Sequence, residues 1–585
     1  MSPPKIIVLK FGSSVLRTSD DPPRVVHEIY RWLREGWRVI AVVSALEGET
    51  DRLLAEANGW DRHPDPSATA LLASTGELKS AALVGLALGR AGVDSQVLDV
   101  AAIGLRTSGR HVWNTRPARL NLAKVRRLLA RFPVLVLPGF LGRDRLGRTT
   151  LLGRGGSDCS ALFLAKELGA RCRLVKDVDG LYEWDPQRPG PSPRRFCQLS
   201  WSEALRLDEG IVQPKAIEFA RDHQLSFEVG RLFQADATEV GRRPIAFQSR
   251  PAQPQPLRLV LLGLGNVGRG VYEGCRRNPE SFQLVGVAVR DKSRASGIPA
   301  ELVVDDLATA LQLPCDVLLE LIGDFEPAVR SIRRSLQRGI AVVTANKRVV
   351  AECGPSLVAL AREHGTSIAW SAAVGGSTPI LEKLSDLPLD DQDLSIQAVL
   401  NGTTNYVLDR WQAGLSLASA LAEARSAGFA EADASRDLNG ADAADKLVLI
   451  HRQLTGSWVP PAAIPRESLD ESWLAKCTDS PRPCVRQIAI WDRREGQHSL
   501  SVRLQTLDRR HPLARLRLQE NGAIVRRRGK RVFLRGKGAG RWPTTEAVLA
   551  DLFDLARTRI DRQLGAEAPA ALRENPQTLF QEVVR

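Results

Sequence analysis

The sequence predicts an α/β chain built from parallel sheets covered by helices, and three observations predict it. Apolar runs of strand length alternate with helix-period segments in both halves of the chain. Those runs end in glycine, hydroxyl residues or lysine, and the carboxyl ends of strands are where an α/β sheet places its ligands. The third is the stretch Leu257-Arg-Leu-Val-Leu-Leu-Gly-Leu-Gly-Asn-Val-Gly-Arg-Gly270, a buried-strand run that breaks at Gly263 and reopens as a helix-like segment. In Gly263-x-Gly265-x-x-Gly268 the glycines serve a tight turn, a close approach of backbone to pyrophosphate and close helix–strand packing. The helix start adds unpaired N–H groups and a positive dipole end. A further apolar strand at 282–289 supplies the context that a bare glycine turn lacks. A dinucleotide site is therefore expected, with Gly263, Gly265, Asn266, Val267 and Gly268 against the cofactor.

At 585 residues the chain exceeds a single core, and two to four domains are expected. Hydrophobic content of 43% and charged content of 25% are ordinary for globular protein. No apolar run approaches the roughly 20 residues that cross a bilayer, and the N-terminus lacks signal-peptide architecture. The eight cysteines form no CxxC pair, which implies neither a zinc site nor a disulfide framework and leaves any protein-held metal unassigned. A cytoplasmic protein without a membrane partner is the expectation. The net charge of +14 is arginine spread along the chain. Its one dense run, Arg526-Arg-Arg-Gly-Lys-Arg531, reads as a hairpin turn with few aromatics to stack bases. Anionic small molecules, not nucleic acid, are the expected partners.

In the front half, a strand at 5–10 ends in Lys10-Phe-Gly-Ser-Ser14, read either as a phosphate-binding end or as a polar strand end. The strand at 38–44 ends at Ser44. Ala73-Ser-Thr-Gly-Glu77 opens an alanine- and leucine-rich helix, and residues 132–140 form a strand and turn. The densest cluster is Thr149-Thr-Leu-Leu-Gly-Arg-Gly-Gly-Ser-Asp158, leading into a helix at 159–168. Glycine backbone, Arg154, Ser157 and a helix start make an anion-binding corner. Arg173-Leu-Val-Lys-Asp-Val-Asp-Gly-Leu-Tyr182 follows, with carboxylates suited to Mg²⁺ or a ribose, or to a solvated turn. No GxxxxGK[ST] loop is present.

These pieces, in this order, resemble the catalytic domain of the aspartate kinases, within the amino-acid kinase family. The motifs are Lys10-Phe-Gly-Ser-Ser14, Val42-Val-Ser-Ala45, Ser74-Thr-Gly-Glu77, Gly153-Arg-Gly-Gly-Ser-Asp158 and Lys176-Asp-Val-Asp-Gly-Leu-Tyr182, over about residues 5–230. The resemblance implies an α/β/α sandwich in which Lys10 neutralises the transferred phosphoryl group and Asp158 organises the centre. Glu77 would grip the substrate ammonium and Arg154 its α-carboxylate, with Ser44 beside them. Gly12, Ser13, Ser157, Asp177, Tyr182 and Lys215 would contact Mg·ATP. Two departures stand out. The family opening usually reads Lys-Phe-Gly-Gly-[Thr/Ser]-Ser, so this chain is one glycine short. The regulatory ACT domains usual in that family have no room before the proline-rich linker at 248–256, which leads straight into the dinucleotide strand.

In the rear half, Arg290 follows the second strand, with Lys292 and Arg294 nearby, which favours the 2′-phosphate of NADP(H) over NAD(H). Asp291 beside it keeps NAD(H) open. Strands at 316–321 and 340–344 follow, the latter ending in Thr344-Ala-Asn-Lys347 and placing a lysine where nicotinamide would lie. Ser371-Ala-Ala-Val-Gly-Gly-Ser-Thr-Pro379 is a further glycine turn, and Leu400-Asn-Gly-Thr-Thr-Asn-Tyr406 a cluster of small hydrogen-bonding side chains. An alanine-rich helix after Gly440 carries Asp442 and Lys446 one turn apart on one face. That pair reads as an exposed salt bridge or as a substrate-holding carboxylate beside a proton-transferring lysine.

These motifs, with Arg535-Gly-Lys-Gly-Ala-Gly-Arg-Trp-Pro-Thr-Thr545, resemble the homoserine dehydrogenase family over about residues 257–557. By that resemblance Lys347 and Lys446 are candidates for proton transfer, and Glu431, Asp437 and Asp442 line the amino-alcohol pocket. Gly375, Gly376 and Thr378 would lie between the domains, and Gly538 and Gly540 would start a return crossover to a helix at 545–557. The implied layout is a kinase domain at 1–247, a linker at 248–256, a Rossmann NAD(P)-binding domain at 257–375, an α+β substrate and dimerisation domain at 376–540, and a return helix and tail at 541–585. The implied chemistry is that of fused aspartate kinase–homoserine dehydrogenases: ATP-dependent phosphorylation of L-aspartate, and NADPH-dependent reduction of aspartate semialdehyde to homoserine. A homodimer or homotetramer and a monovalent cation belong to the same expectation. Two alternatives stay open: an inactive kinase domain serving as a scaffold, motivated by the shortened turn, and a kinase acting on another amino acid such as glutamate.

Overall fold

The computed structural model describes residues 5–563 except 110, 187, 208–209, 235, 249–254, 376–393, 431–432, 478–482, 495, 528–529 and 538–540. The chain divides into two compact units, Met1–Gln253 and Pro254–Arg585.

In the first unit a nine-stranded sheet is centred on four parallel strands, Arg171–Lys176, Ile6–Phe11, Arg38–Val43 and Val134–Pro138, adjacent in that order. Their apolar residues are almost fully buried, as expected of strands covered on both faces. Helix Gly156–Leu168 packs on the first of these strands in sequence, and helix Pro66–Arg90 on the last. A second, four-stranded sheet contributes Leu141–Arg143 and Thr149–Leu151.

One sequence expectation needs correction here. Ser74-Thr-Gly-Glu77 does not open its helix. The helix begins at Pro66, after Asp65 caps the Ala68 N–H, so the motif lies mid-helix. Proline at the first helical position and an acidic cap were the stronger start signal. The same helix is also long and apolar enough to cross a bilayer by length and composition, with mean hydropathy 1.3 over its apolar window. Its Ala70, Ala73, Ala81, Val84 and Leu88 are buried in the unit, while Leu71, Leu78 and Leu86 face outward.

The second unit opens with a six-stranded parallel sheet. Numbering its strands by sequence from Leu257–Leu262 gives the order 3-2-1-4-5-6, the doubly wound arrangement whose switch point lies beyond the first and fourth strands. A five-stranded antiparallel sheet follows, with Leu394–Val399 central between Cys484–Arg494 and Glu520–Arg527. Helix Ala441–Thr455 packs against its strands. The dense basic run does form a hairpin end, with Arg526 opposite Arg531. Helix Arg541–Gln563 returns to the parallel-sheet domain and lies on helix Asn266–Arg276. The contact is close because Gly270 and Gly274 face Thr545 and Leu549, whose atoms a Cβ would meet at 2.4 and 2.5 Å.

Candidate active sites

The glycine turn of the second unit is built as the motif requires. Gly263 has φ +93°, and a Cβ there would strike Leu321 O at 2.6 Å. A Cβ on Gly268 would meet Gly263 O at 2.0 Å, whereas Gly265 faces open space. Helix Asn266–Arg276 begins immediately, with Gly265 as its N-cap. Val267 sits in its first turn, where its carbonyl faces Thr545 Oγ1. A cleft of about 470 Å³ runs beyond these strands, lined by Gly263, Gly265, Arg290, Asp291, Gly323 and Asp324 among others. Turn, helix start and cleft fit a dinucleotide. Arg290 reaches that cleft, but its guanidinium pairs with Asp324 at 2.9 Å with both side chains exposed.

At the same carboxyl ends, further along the sheet, Thr344 receives support that the sequence did not reveal. Glu320, fully buried, accepts from Thr344 Oγ1 and from the Ile322 N–H. Burial pushes its carboxyl up to about 7. Asn346 caps the next helix, donating to Ile322 O and accepting from the Val349 N–H, and Lys347 is that helix's first residue.

Lys347 meets the substrate domain through Asp442. One Asp442 oxygen lies 2.6 Å from Lys347 Nζ and the other 3.2 Å from Lys446 Nζ. Asn401, at the end of strand Leu394–Val399, donates one amide to both Asp442 (2.8 Å) and Asp437 (2.6 Å). Lys446 also donates to Leu400 O, which accepts from Asn521 as well. Burial opposes ionisation of Asp442, yet the two ammoniums hold it well below the usual carboxylate range. The lysines diverge: Asp442 raises Lys347, while burial lowers Lys446. Burial raises Asp437. Lys347, Asp437, Asp442 and Lys446 are thus brought together. Glu431, Gly376, Thr378, Gly538 and Gly540 lie outside the described residues.

The first unit has a parallel centre. Asp158, in the first turn of helix Gly156–Leu168, pairs with Lys10 Nζ at 2.8 Å and Lys176 Nζ at 3.0 Å, all three side chains buried. Burial lowers Lys10 to about 8, and the two lysines hold Asp158 at about 2 against the cost of its own burial. Gly12 lies against Lys10, a Cβ there falling 2.9 Å from Nζ. Glu77 is 3% exposed, its Oε2 has no hydrogen-bond partner among the described residues, and burial raises it to about 8. A buried carboxyl with one oxygen unpartnered among the described residues fits a cationic ligand group. Arg154 and Ser13 are exposed, Ser157 is buried and Ser44 half-buried.

Three residues expected to contact nucleotide have neighbours within their own unit. Lys215 donates to Asn114, Thr115 O and Leu152 O, pinning the turn before Gly153. Tyr182 is buried with its hydroxyl on Asp179, and Asp177 lies 3.6 Å from Arg17. Lysine and tyrosine carry long apolar stems, and these two positions bury them. Sequence reasoning missed Lys176, Asn401 and Glu320. Only strand alternation could have flagged Lys176, because it lies two residues past Leu174, which pairs with Lys10.

Comparison with known proteins matches both units to families. Residues 263–371 match the homoserine dehydrogenase NAD-binding domain family and residues 379–553 the homoserine dehydrogenase family. The homoserine dehydrogenase of Synechocystis sp. is 33% identical over 316 residues, covering 51% of this chain and 73% of that protein. The chain belongs to the homoserine dehydrogenase family. Residues 5–229 match the amino acid kinase family. The aspartokinase of Geobacillus stearothermophilus is 33% identical over 228 residues, which cover 38% of this chain and 56% of that protein. The chain thus spans just over half the length of that aspartokinase. Among solved structures, a homoserine dehydrogenase from Thiobacillus denitrificans aligns with a TM-score of 0.47 and 29% identity, covering 53% of this chain and 75% of that one. With a domain of the amino acid kinase family ahead of its homoserine dehydrogenase domains, the chain has the domain composition of a bifunctional enzyme of the aspartate pathway.

Proposed function

We propose that the first unit phosphorylates the side-chain carboxylate of L-aspartate with ATP, and that the second reduces aspartate semialdehyde to homoserine with NADPH. The observation that carries the reading is Asp442 held between Lys347 and Lys446, where the parallel-sheet domain meets the substrate domain. The reduced cofactor, when bound at Gly263–Gly268 and Arg290, supplies the hydride. Lys446 Nζ supplies the proton to the substrate oxygen, since burial makes it the readier donor. Lys347, whose charge Asp442 secures, stays cationic and orients that oxygen. Asp437 and Asp442, joined by Asn401, hold the substrate ammonium, with Glu431 as a further pocket residue.

In the first unit Glu77 takes the ammonium of aspartate, Arg154 its α-carboxylate, and Lys10 the transferred phosphoryl group, in the charge-neutralising manner that phosphoryl transfer needs. Mg²⁺ enters with the triphosphate, whose oxygens supply most of its ligands. A homodimer or homotetramer in the cytoplasm completes the reading. Edge strand Lys530–Lys537, with Val532 and Phe533 exposed, favours association of copies. The second reading, a scaffold-like kinase unit, is favoured by Tyr182 and Lys215 being tied to their own chain. Assay of both activities on one purified preparation, with NADPH and NADH compared, decides. Aspartate-dependent ADP release supports the kinase; its absence in a preparation with full dehydrogenase turnover supports the scaffold.

A further inference from the structure

We propose that Lys176 is a second catalytic lysine of the kinase unit, bearing on the phosphate chain beside Lys10; this rests on the kinase reading above.

The strand register puts it there. Strands Ile6–Phe11 and Arg171–Lys176 are parallel neighbours with Lys10 opposite Leu174. Side chains alternate with a period of two, so Lys176 emerges on the same face as Lys10, one pleat nearer the carboxyl ends. Helix Gly156–Leu168 lies on that face and lowers Asp158 between the two ammoniums, one oxygen to each.

The charges do not balance. Two ammoniums face one carboxylate, with side chains 7%, 11% and 4% exposed, leaving a net positive charge in a buried place. An uncompensated buried charge is costly, and burial already draws Lys10 down to about 8. A polyanion entering against Gly12 and the start of helix Gly156–Leu168 would relieve that cost. For holding the fold alone, one lysine would satisfy Asp158.

The reaction uses that excess. A substrate carboxylate oxygen bonds to the γ-phosphorus as the bond from phosphorus to the bridging oxygen breaks, and its electron pair leaves on ADP. No proton moves, so the site must spread negative charge over the phosphoryl and leaving oxygens. Lys10 stands beside Gly12 and takes the transferred group. Lys176, on the other Asp158 oxygen and one pleat nearer the carboxyl ends, takes the leaving oxygen.

The test is Lys176→Met and Lys176→Arg in the full chain, read by aspartate-dependent ADP release, KM for aspartate, ADP affinity by titration calorimetry and dehydrogenase turnover. The expected result for K176M is a kcat lower by about 100-fold or more, with ADP affinity weakened, aspartate KM within about threefold and dehydrogenase turnover unchanged. K176R recovers part of kcat. The proposal is overturned if K176M keeps more than half its kcat. It is equally overturned if both variants lose aspartate binding and the kinase unit's thermal transition along with turnover, which would mark Lys176 as structural. An unsubstituted chain that releases no aspartate-dependent ADP removes the kinase reading itself, and this inference with it.

Discussion

The two units solve related problems with the same local device, a buried aspartate gripped by two lysines, and what surrounds the device separates their chemistries. Around Asp158, both lysines are deeply buried and the nearest turn is glycine and helix start. That environment keeps excess positive charge for phosphate. Around Asp442 there is a second carboxylate, Asp437, joined through Asn401, and only one of the lysines is deeply buried. There the lysines are driven apart in basicity, one raised and one lowered, as proton transfer requires. A shared triad therefore does not predict a shared reaction; the balance of charge and burial around it does.

The largest effect should come from removing the central carboxylate. Asp442→Asn should abolish detectable dehydrogenase turnover and cost its unit about 3 kcal/mol, because two ammoniums, one of them deeply buried, lose their partner. Aspartate-dependent ADP release should persist, and thermal melts with paired assays would reveal any loss of both. Next, Lys446→Ala should lower dehydrogenase kcat by about 10²–10⁴-fold, whereas Lys347→Ala should act more on KM. The reverse pattern in steady-state kinetics would exchange their roles.

The pH profiles sharpen the contrast. An amine is charged below its pKa, and Lys10 sits at about 8, so kinase kcat/KM should fall as pH rises through about 8. Glu77, raised to about 8 by burial, is mostly protonated at neutral pH. Binding an ammonium there favours its ionised form, so aspartate binding should release protons, seen as a dependence of calorimetric heat on buffer ionisation enthalpy. The smallest effect belongs to Arg290→Ala. Arg290 is exposed and already paired with Asp324, so the ratio of NADPH to NADH efficiency should shift by less than about tenfold, in keeping with the weak worth of exposed ion pairs.

Much of the scaffold was legible because its causes are local. The run before Gly263 could only be a covered strand, and the glycine spacing dictated the turn and helix that follow. The i,i+4 spacing of Asp442 and Lys446 announced their contact. Helix starts were less legible, as Ser74–Glu77 shows: a motif marks chemistry, whereas caps and proline mark the boundary.

By itself, then, the sequence determined two nucleotide-handling folds, their order and part of the lysine and carboxylate sets proposed for their sites, since strand period, glycine conformation and short-range spacing are properties of neighbouring residues. Only the tertiary structure decided that Lys176 joins Lys10 at Asp158, that Asn401 ties Asp437 to Asp442, and that Lys215 and Tyr182 turn toward their own chain. Those outcomes depend on strand register and on which faces meet across the sheets, and burial, which sets the basicity of each lysine, exists only once the faces have met.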